Sequence, residues 1–285
     1  MTWVAVRQFL KLLTPPLALS LYRQLRQWAL QSIPGHRFTN NSRIYKAKRH
    51  AALTSLCVQF PGWSALPDLP SLSRPEFAYI DERVVEYPWV LRRLVGGQRL
   101  LDVGCVLNYD FCVNILKAKY QQIYFQNLVP QALVSERSFF QVVQDIRVPI
   151  WYEGTFDTVT CLSTLEHVGM DNVIYTKIHE KDTRPTDYIR AVEELIRIVK
   201  PGGQVLITVP FGRPDNLGWI QVFGPEQVYQ LMHAAKPHQA TVEFFRSSPQ
   251  GWQRASQTDC EQCIFGQDVP AAGAVAALEI IKGQE

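Results

Sequence analysis

The sequence predicts an α/β protein with a mainly parallel sheet that carries helices on both faces. Three segments support this prediction, because in each of them a buried strand adjoins a helix. They are RLLDVGCVLN at residues 99–108, GTFDTVTCLSTLEHVG at residues 154–169, and AVEELIRIVKPGGQVLITVPFG at residues 191–212. Strands that alternate with helices along a chain pair in parallel, so we assign these segments to one doubly wound sheet.

The first segment contains a turn that is suited to ligand binding. Its apolar run from Leu100 to Val103 includes one acid, Asp102, and ends at Gly104, after which the spacing becomes helical. Glycine adopts positive φ and lets the backbone approach a ligand, while the first N–H groups of the next helix attract anions. Doubly wound sheets bind nucleotide-like cofactors at such a point.

The second segment places polar side chains directly after a buried strand. FDTVTCL is followed by Ser163 and Thr164, which we expect to cap the next helix, with Glu166 and His167 in its first turn. The third segment has helical spacing up to Val199, a break at PGG, and then the buried strand QVLITVP.

The remaining elements complete a predicted sheet of seven strands. We expect a helix over residues 83–95, broken at Pro88, just before the first strand. Five strands are predicted in parallel, and residues 240–247 and 274–283 are predicted as a final antiparallel pair. The five are expected at residues 99–103, 122–127, 140–144, 156–161 and 204–209.

Taken together, LDVGC, FDTVTCLSTLEHV and LIRIVKPGGQVLITVP resemble the class I S-adenosylmethionine-dependent methyltransferases, and the GCVLN turn resembles a bacterial methyltransferase-like subgroup. The resemblance covers about residues 83–210 and implies a Rossmann-like fold, S-adenosylmethionine as the cofactor and methyl transfer as the activity. The cofactor-binding residues that it implies are Asp102, Gly104, Cys105, Asn108, Asn127, Asp145, Ile146, Leu162 and Ser163.

The turn after the first strand departs from the family's GxGxG pattern. Val106 and Asn108 occupy the second and third glycine positions. A β-branched residue tolerates positive φ poorly and asparagine tolerates it better, so we expect Asn108 to supply either the left-handed residue or a side-chain hydrogen bond. The alternative is a site that has lost its activity on an intact fold, which would make the chain an inert binding or scaffold protein.

Two further positions bear on cofactor binding. Asn127 stands where the family places an acid that accepts hydrogen bonds from the cofactor ribose, and a neutral acceptor weakens such binding by roughly 1 kcal/mol. Asp145 stands where the family places the acid that binds the adenine amino group. On the residues alone, a role for Asp145 in a local turn is an equal alternative.

His167 and Glu166 are the candidate catalytic residues. His167 has the ordinary pKa for a general base near neutral pH, or it fastens its loop by a hydrogen bond. Glu166 faces the methionine part of the cofactor or favours a helix N-terminus. The loops at residues 173–190 and 211–229 mix aromatic and polar side chains, which suits a small polar or glycan-type acceptor.

The positive charge is concentrated at the N-terminus. The chain of 285 residues has a net charge of +3, but residues 1–67 contain nine of the 29 Lys and Arg residues and none of the 26 acids. We therefore divide the chain into a basic, amphipathic extension, helical and loop-rich, at residues 1–75 and a methyltransferase-like domain at residues 76–285. Residues 1–30 are expected to bind an anionic membrane surface, or else to pack on the domain.

Other function classes fit the sequence less well. No apolar run is long enough for a membrane span, the aromatic and leucine content of the extension fits a lipid surface better than nucleic acid, and the G-x-G-x-x-G pattern of dinucleotide oxidoreductases is absent. The six cysteines are spread irregularly, which favours reduced thiols and therefore a cytoplasmic location. Because the extension is basic and amphipathic, we expect the protein to be peripheral at the inner membrane face. Cys260 and Cys263 have a metal-like spacing, but no metal is expected.

Overall fold

The computed structural model describes residues 42–59, 72–133, 137–177, 184–267 and 269–284. The predicted membrane-binding segment at residues 1–30 lies outside them. In the described part of the chain the α-helices are α1 (Arg43–Gln59), α2 (Arg83–Arg93), α3 (Asp110–Lys119), α4 (Val173–Thr176), α5 (Tyr188–Ile198), α6 (Pro225–Ala234) and α7 (Gln257–Cys260). None of these helices has both the length and the apolar character that a bilayer crossing requires.

The strands form one large mixed sheet and a two-residue ladder. They are β1 (Gly97–Val103), β2 (Tyr120–Asn127), β3 (Phe139–Val143), β4 (Phe156–Leu162), β5 (Val199–Phe211), β6 (Asp215–Asn216), β7 (Gln221–Val222), β8 (Gln239–Ser248), β9 (Gly251–Ala255) and β10 (Ala274–Ile281). The large sheet has the order β3-β2-β1-β4-β5-β10-β8-β9, and β6 pairs with β7.

The predicted α/β architecture is confirmed. Strands β1 to β5 pair in parallel, and β10 runs antiparallel between β5 and β8, as expected for the final pair. The predicted number of seven strands is wrong by one, because β9 folds back from β8 as an eighth strand at the sheet edge. A short edge strand pairs on one side only, so its apolar pattern is weak.

Each face of the sheet is covered by helices, because neighbouring residues of a strand point to opposite sides. Leu101 packs with the α5 residues Val192 and Leu195, whereas Leu100 packs with Trp89 of α2. Because β1, β4 and β5 pair in parallel, their carboxyl ends lie at one edge of the sheet, between the two helical layers.

Helix α2 continues through Pro88, so the predicted break at that residue is wrong. A proline inside a helix removes one backbone hydrogen bond, and here the tertiary contacts of the helix compensate for it. The Trp89 indole Nε1 donates to Glu243 Oε2 of β8 at 2.6 Å, and the Arg93 guanidinium binds both Glu243 and Glu279. These contacts hold the part of α2 that follows the proline against the sheet.

Helix α1 packs on the same face as α2. Leu53 and Leu56 are buried in that core, and the Tyr45 hydroxyl accepts a hydrogen bond from the Asp81 backbone N–H at 3.0 Å. Arg49 forms an ion pair with the Asp81 carboxylate. The end of the basic N-terminal region therefore contacts the segment that leads into α2.

Candidate functional site

The turn after β1 has two successive residues with positive φ. Gly104 has φ 95° and Cys105 has φ 59°. A Cβ at Gly104 would lie 2.0 Å from Thr164 Oγ1, so the loop after β4 can pack here only against a glycine. Of the two roles expected for Asn108, the structure has the side-chain hydrogen bond: Asn108 Nδ2 donates to the Ala132 carbonyl at 2.9 Å. Cys105 supplies the left-handed residue instead.

Asp102 supports this turn from beneath. Its carboxylate is fully buried and accepts hydrogen bonds from Leu107 N and Thr160 Oγ1, each at 2.7 Å. Burial raises the pKa of Asp102 to about 7, although both hydrogen bonds act in the opposite direction. The structure therefore places Asp102 under the turn and not at a cavity wall, and Leu162 is likewise buried in the core.

A cavity of about 310 Å³, called the small cavity below, lies at the carboxyl ends of β1, β2 and β4. This volume is within the usual range for small-molecule sites. Val106 is in its wall, while Leu107 points into the core, so these two residues leave the recess open. The predicted cofactor residues that line it are Gly104, Cys105, Asn127, Asp145, Ile146 and Ser163, whereas Asn108 lines a different cavity.

The Asn127 and Asp145 side chains already accept hydrogen bonds from neighbouring residues. Asn127 Oδ1 accepts from Leu128 N at 2.8 Å. The Asp145 carboxylate accepts from Arg147 N at 2.8 Å and from the Arg147 guanidinium at 2.6 Å, and Arg147 also pairs with Asp187. Asp145 thus has the turn role that we considered as the alternative, at a position that also borders the small cavity.

A second cavity of about 1000 Å³, called the large cavity below, lies between α1, the start of α2 and the loops after β4 and β5. Its wall mixes charged groups with the aromatic side chains of Tyr45, Tyr109, Phe111, Trp219 and Phe265. Arg83, Ser163 and His167 belong to the walls of both cavities. The two cavities therefore meet at these three residues.

A buried carboxylate organises this junction. Glu86 is fully buried, accepts hydrogen bonds from Ser163 Oγ at 2.6 Å and from Thr208 Oγ1, and forms an ion pair with Arg83. Ser163 has φ 38°, a strained left-handed conformation that this hydrogen bond helps to hold. Sequence reasoning did not find Arg83 or Thr208; the available signal was the charged run DER before a helix that leads into the first strand.

The predicted helix caps after β4 are wrong. Ser163 donates its hydroxyl hydrogen to Glu86 and Thr164 donates to the Leu162 carbonyl at 2.8 Å, so neither side chain caps a helix. The segment that follows is a single 3₁₀ turn, Leu165–His167. Glu166 and His167 consequently lie in a short turn beside the junction of the two cavities, and not in a long helix.

The two ring nitrogens of His167 are in different situations. Nδ1 lies 2.9 Å from the Trp219 carbonyl oxygen, and because a carbonyl only accepts, Nδ1 carries the hydrogen and Nε2 keeps its lone pair. Burial lowers the pKa of His167 below its ordinary value, which keeps the ring neutral. The loop-fastening role and the base role that we considered are therefore compatible, since each uses a different nitrogen.

Glu166 lies in the wall of the large cavity only. It is 2% exposed, and burial raises its pKa well above the ordinary value. Its Oε2 atom has no hydrogen-bond partner among the described residues. Of the two roles expected for it, the helix N-terminus corresponds to its place in the first turn of the 3₁₀ segment Leu165–His167, and contact with the methionine part of a cofactor stays a prediction.

The loop that follows the junction is fastened by a close backbone contact. Arg184 N donates to the Gly169 carbonyl at 3.0 Å, and a Cβ at Gly169 would lie 1.8 Å from the Arg184 oxygen. Residues 178–183 of the predicted acceptor loop lie outside the described residues. Cys260 and Cys263 are buried and are not joined by a disulfide, and no three His, Cys, Asp or Glu side chains in the described ranges form a metal-binding group.

Comparison with known proteins finds similarity of fold only. No protein-family model and no curated protein matches the chain. Among solved structures, the 1,6-didemethyltoxoflavin-N1-methyltransferase of Burkholderia thailandensis is similar at 14% identity and a TM-score of 0.46, over 84% of this chain and 89% of that one. An S-adenosylmethionine-dependent methyltransferase of Mesorhizobium loti is similar at 12% identity and a TM-score of 0.45, over 69% of this chain and 98% of that one. The [4+2]-cyclase SpnF is similar at 14% identity and a TM-score of 0.45, over 85% of this chain and 96% of that one.

These scores carry no argument about activity. The strand order and the helices on both faces are those of the Rossmann-like methyltransferase fold. The acceptor and the reaction have to be argued from the site itself.

Proposed function

We propose that this chain is an S-adenosylmethionine-dependent methyltransferase that acts on a small polar or glycan-type acceptor. The observation that supports it best is the junction of two cavities of unequal size at the carboxyl edge of the parallel strands. The small cavity would hold the cofactor and the large cavity the acceptor, so that the reacting atoms meet beside Arg83, Ser163 and His167. Positioning two reactants at one point is the main demand of a methyl transfer.

Within this proposal, the small cavity has groups that suit the cofactor. Gly104 and Cys105 expose backbone at the turn, Asn127 offers an amide to the ribose, and Ile146 offers an apolar surface to the adenine ring. The cofactor, when bound, supplies an activated methyl group with its own leaving group. The Arg83–Glu86 ion pair is neutral as a unit, so it can border a cationic sulfur without repelling it.

His167 is the proposed base. Its Nδ1 hydrogen is engaged by the Trp219 carbonyl, which orients the ring and leaves Nε2 able to accept a proton from the acceptor. The lowered pKa keeps that nitrogen unprotonated at neutral pH. The inert scaffold remains the second candidate, and it is favoured by the departure of the turn from GxGxG at Val106.

Calorimetric titration of the full chain with S-adenosylmethionine separates the two candidates. We expect binding by the natural sequence, and binding that is about fivefold tighter in the variant Asn127→Asp. The gain arises because a carboxylate accepts ribose hydrogen bonds more strongly than an amide, by roughly 1 kcal/mol.

The matched control is Gln121→Glu. It adds the same charge to an exposed position of the same strand, outside the small cavity. We expect the affinity of this variant to equal that of the natural chain. A folded protein that gives no heat with S-adenosylmethionine, in either the natural or the Asn127→Asp form, rejects the enzyme in favour of the scaffold.

A further inference from the structure

Two buried carboxyl oxygens in the wall of the large cavity have no partner. They are Glu82 Oε2 and Glu166 Oε2, and in the part of the chain that the structure describes no other buried side-chain nitrogen or oxygen lacks a hydrogen bond. A buried polar atom without a partner costs roughly 1–3 kcal/mol of stability. Such atoms at a cavity wall are explained when a ligand supplies the missing contacts.

The charges around these two oxygens do not balance. Glu86 forms the ion pair with Arg83, with Ser163 and Thr208 as further donors. Among the described residues, Glu82 and Glu166 therefore have no ion pair of their own, and Arg83 lowers the pKa of each only as a weaker influence than burial. Of the other basic groups in this wall, Arg49 pairs with Asp81 and the buried His167 is held neutral, while Lys46 and His50 also line the cavity. The pKa of Glu82 is raised to about 7, chiefly by burial and then by Asp81.

From this geometry, and resting on the proposed function, we infer that the acceptor is an amine whose ammonium form binds between Glu82 and Glu166. An alcohol would satisfy the hydrogen bonds, but an ammonium group also supplies one positive charge, which holds one of these two carboxyl groups ionised while the other keeps its proton. The aromatic wall, which includes Tyr109, Phe111 and Trp219, favours a cation as well.

The same site can prepare the amine for reaction. An ammonium nitrogen has no lone pair, so it must lose a proton before it can be methylated. Glu166, held as a carboxylate by the bound ammonium, takes that first proton: an N–H bond breaks, its electron pair stays on nitrogen, and an O–H bond forms at the carboxyl group. His167 Nε2 then accepts the second proton, which the nitrogen loses after it has been methylated. Burial favours the protonated acid that results.

The test compares two sugars that differ in one group. D-Glucosamine carries an amine where D-glucose carries a hydroxyl, so their affinities for the full chain at pH 7 report selection of an ammonium group. We expect glucosamine to bind at least tenfold more tightly by calorimetry, with or without S-adenosylhomocysteine. Glu166→Gln and Glu82→Gln should each reduce that preference several-fold while leaving S-adenosylhomocysteine affinity unchanged.

Glu193→Gln is the matched control, because Glu193 is exposed on α5 away from the large cavity; it should retain the full preference. Equal affinity for the two sugars, or no binding of glucosamine, overturns the inference whatever the cofactor result. Selective binding of glucosamine by a chain that ignores S-adenosylhomocysteine supports the ammonium site and rejects the proposed enzyme, so the two failures are distinguishable.

Discussion

Asp102 contributes to the ligand-binding turn through its protonation state as well as through its hydrogen bonds. Folding raises its pKa from an ordinary value of 3.8 to about 7, because the carboxyl group is completely buried under the turn. An acid whose pKa is higher in the folded state favours folding most when it is protonated. Its contribution to the free energy of unfolding is therefore lost as the pH rises from about 4 to 7.

We expect the natural chain to lose stability between pH 5 and pH 8, and the variant Asp102→Asn to lose less. Between these two pH values, the free energy of unfolding of the natural chain should decrease by on the order of 3 kcal/mol more than that of Asp102→Asn. Urea unfolding at each pH measures both decreases. Asparagine keeps the size of the side chain and one acceptor for Leu107 N, but it does not titrate. The exposed substitution Asp215→Asn should leave the pH dependence unchanged. Identical pH dependence in the Asp102→Asn and natural chains would contradict this account.

At the residue scale, the sequence could locate only the side chains that follow strands. Gly104, Asn127, Asp145 and Ser163 border one cavity because parallel strands bring their carboxyl ends to one edge, and that rule needs no coordinates. The Glu82–Arg83–Glu86 group comes from a helix before the first strand. Its position depends on tertiary packing, so the charged run DER marks the segment in the sequence but does not place it at the junction of the two cavities.

At the element scale, the clearest difference between sequence and structure concerns how α2 is held. The sequence pattern correctly predicted this helix, but the low helix propensity of proline led to a predicted break at Pro88 that the structure does not have. The contacts that override the proline come from β8 and β10, more than 150 residues later in the chain. Strand β9 was missed for a related reason, since its only sheet partner is β8 and its outer residues face solvent.

Trp252 of β9 connects the sheet edge to the segment before α2. Its indole is buried and Nε1 donates to the Ile80 carbonyl at 2.9 Å, while its backbone N–H donates to Leu72. Trp252→Ala should lower the free energy of unfolding by about 3–5 kcal/mol, because it opens a cavity and leaves the Ile80 oxygen without its donor.

Urea unfolding of Trp252→Ala at one pH measures this loss. Tyr229→Ala is a suitable comparison, since that ring is 63% exposed on α6 and its removal should change stability by no more than about 0.5 kcal/mol. A similar small effect for Trp252→Ala would show that β9 is not an anchor for the start of α2.

At the scale of the whole molecule, the charge is divided unequally. Because residues 1–67 contain nine bases and no acids, the remaining 218 residues have a net charge of −6. Such a separation is consistent with a basic segment that binds an anionic surface while the rest of the chain is repelled from it. Membrane binding through residues 1–30 remains our proposal for this segment.

Co-sedimentation of the full chain with vesicles tests that proposal. We expect binding to phosphatidylglycerol vesicles and little binding to phosphatidylcholine, with binding lost at high salt because charge attraction is screened. A variant with four bases of the segment changed to glutamine should bind several-fold less. These bases are Arg7, Lys11, Arg23 and Arg26.

The control for this experiment changes four exposed bases elsewhere to glutamine, which lowers the net charge equally. They are Arg190, Arg213, Lys236 and Arg254. The proposal requires the control to sediment like the natural chain. If both variants lose binding to the same degree, total charge governs adsorption and the N-terminal segment has no special role.

The contact between Gly169 and Arg184 has a practical consequence for redesign. Gly169 follows His167 by two residues, and its bond to Arg184 closes a loop whose two ends are joined beside the histidine. A loop anchored in this way tolerates changes in length and composition, provided that Asn172 and Tyr175 are kept, since Asn172 Nδ2 donates to the His167 carbonyl and the Tyr175 ring packs against the His167 ring. Attempts to alter acceptor preference should therefore graft new sequence between Tyr175 and Arg184 and keep Gly169.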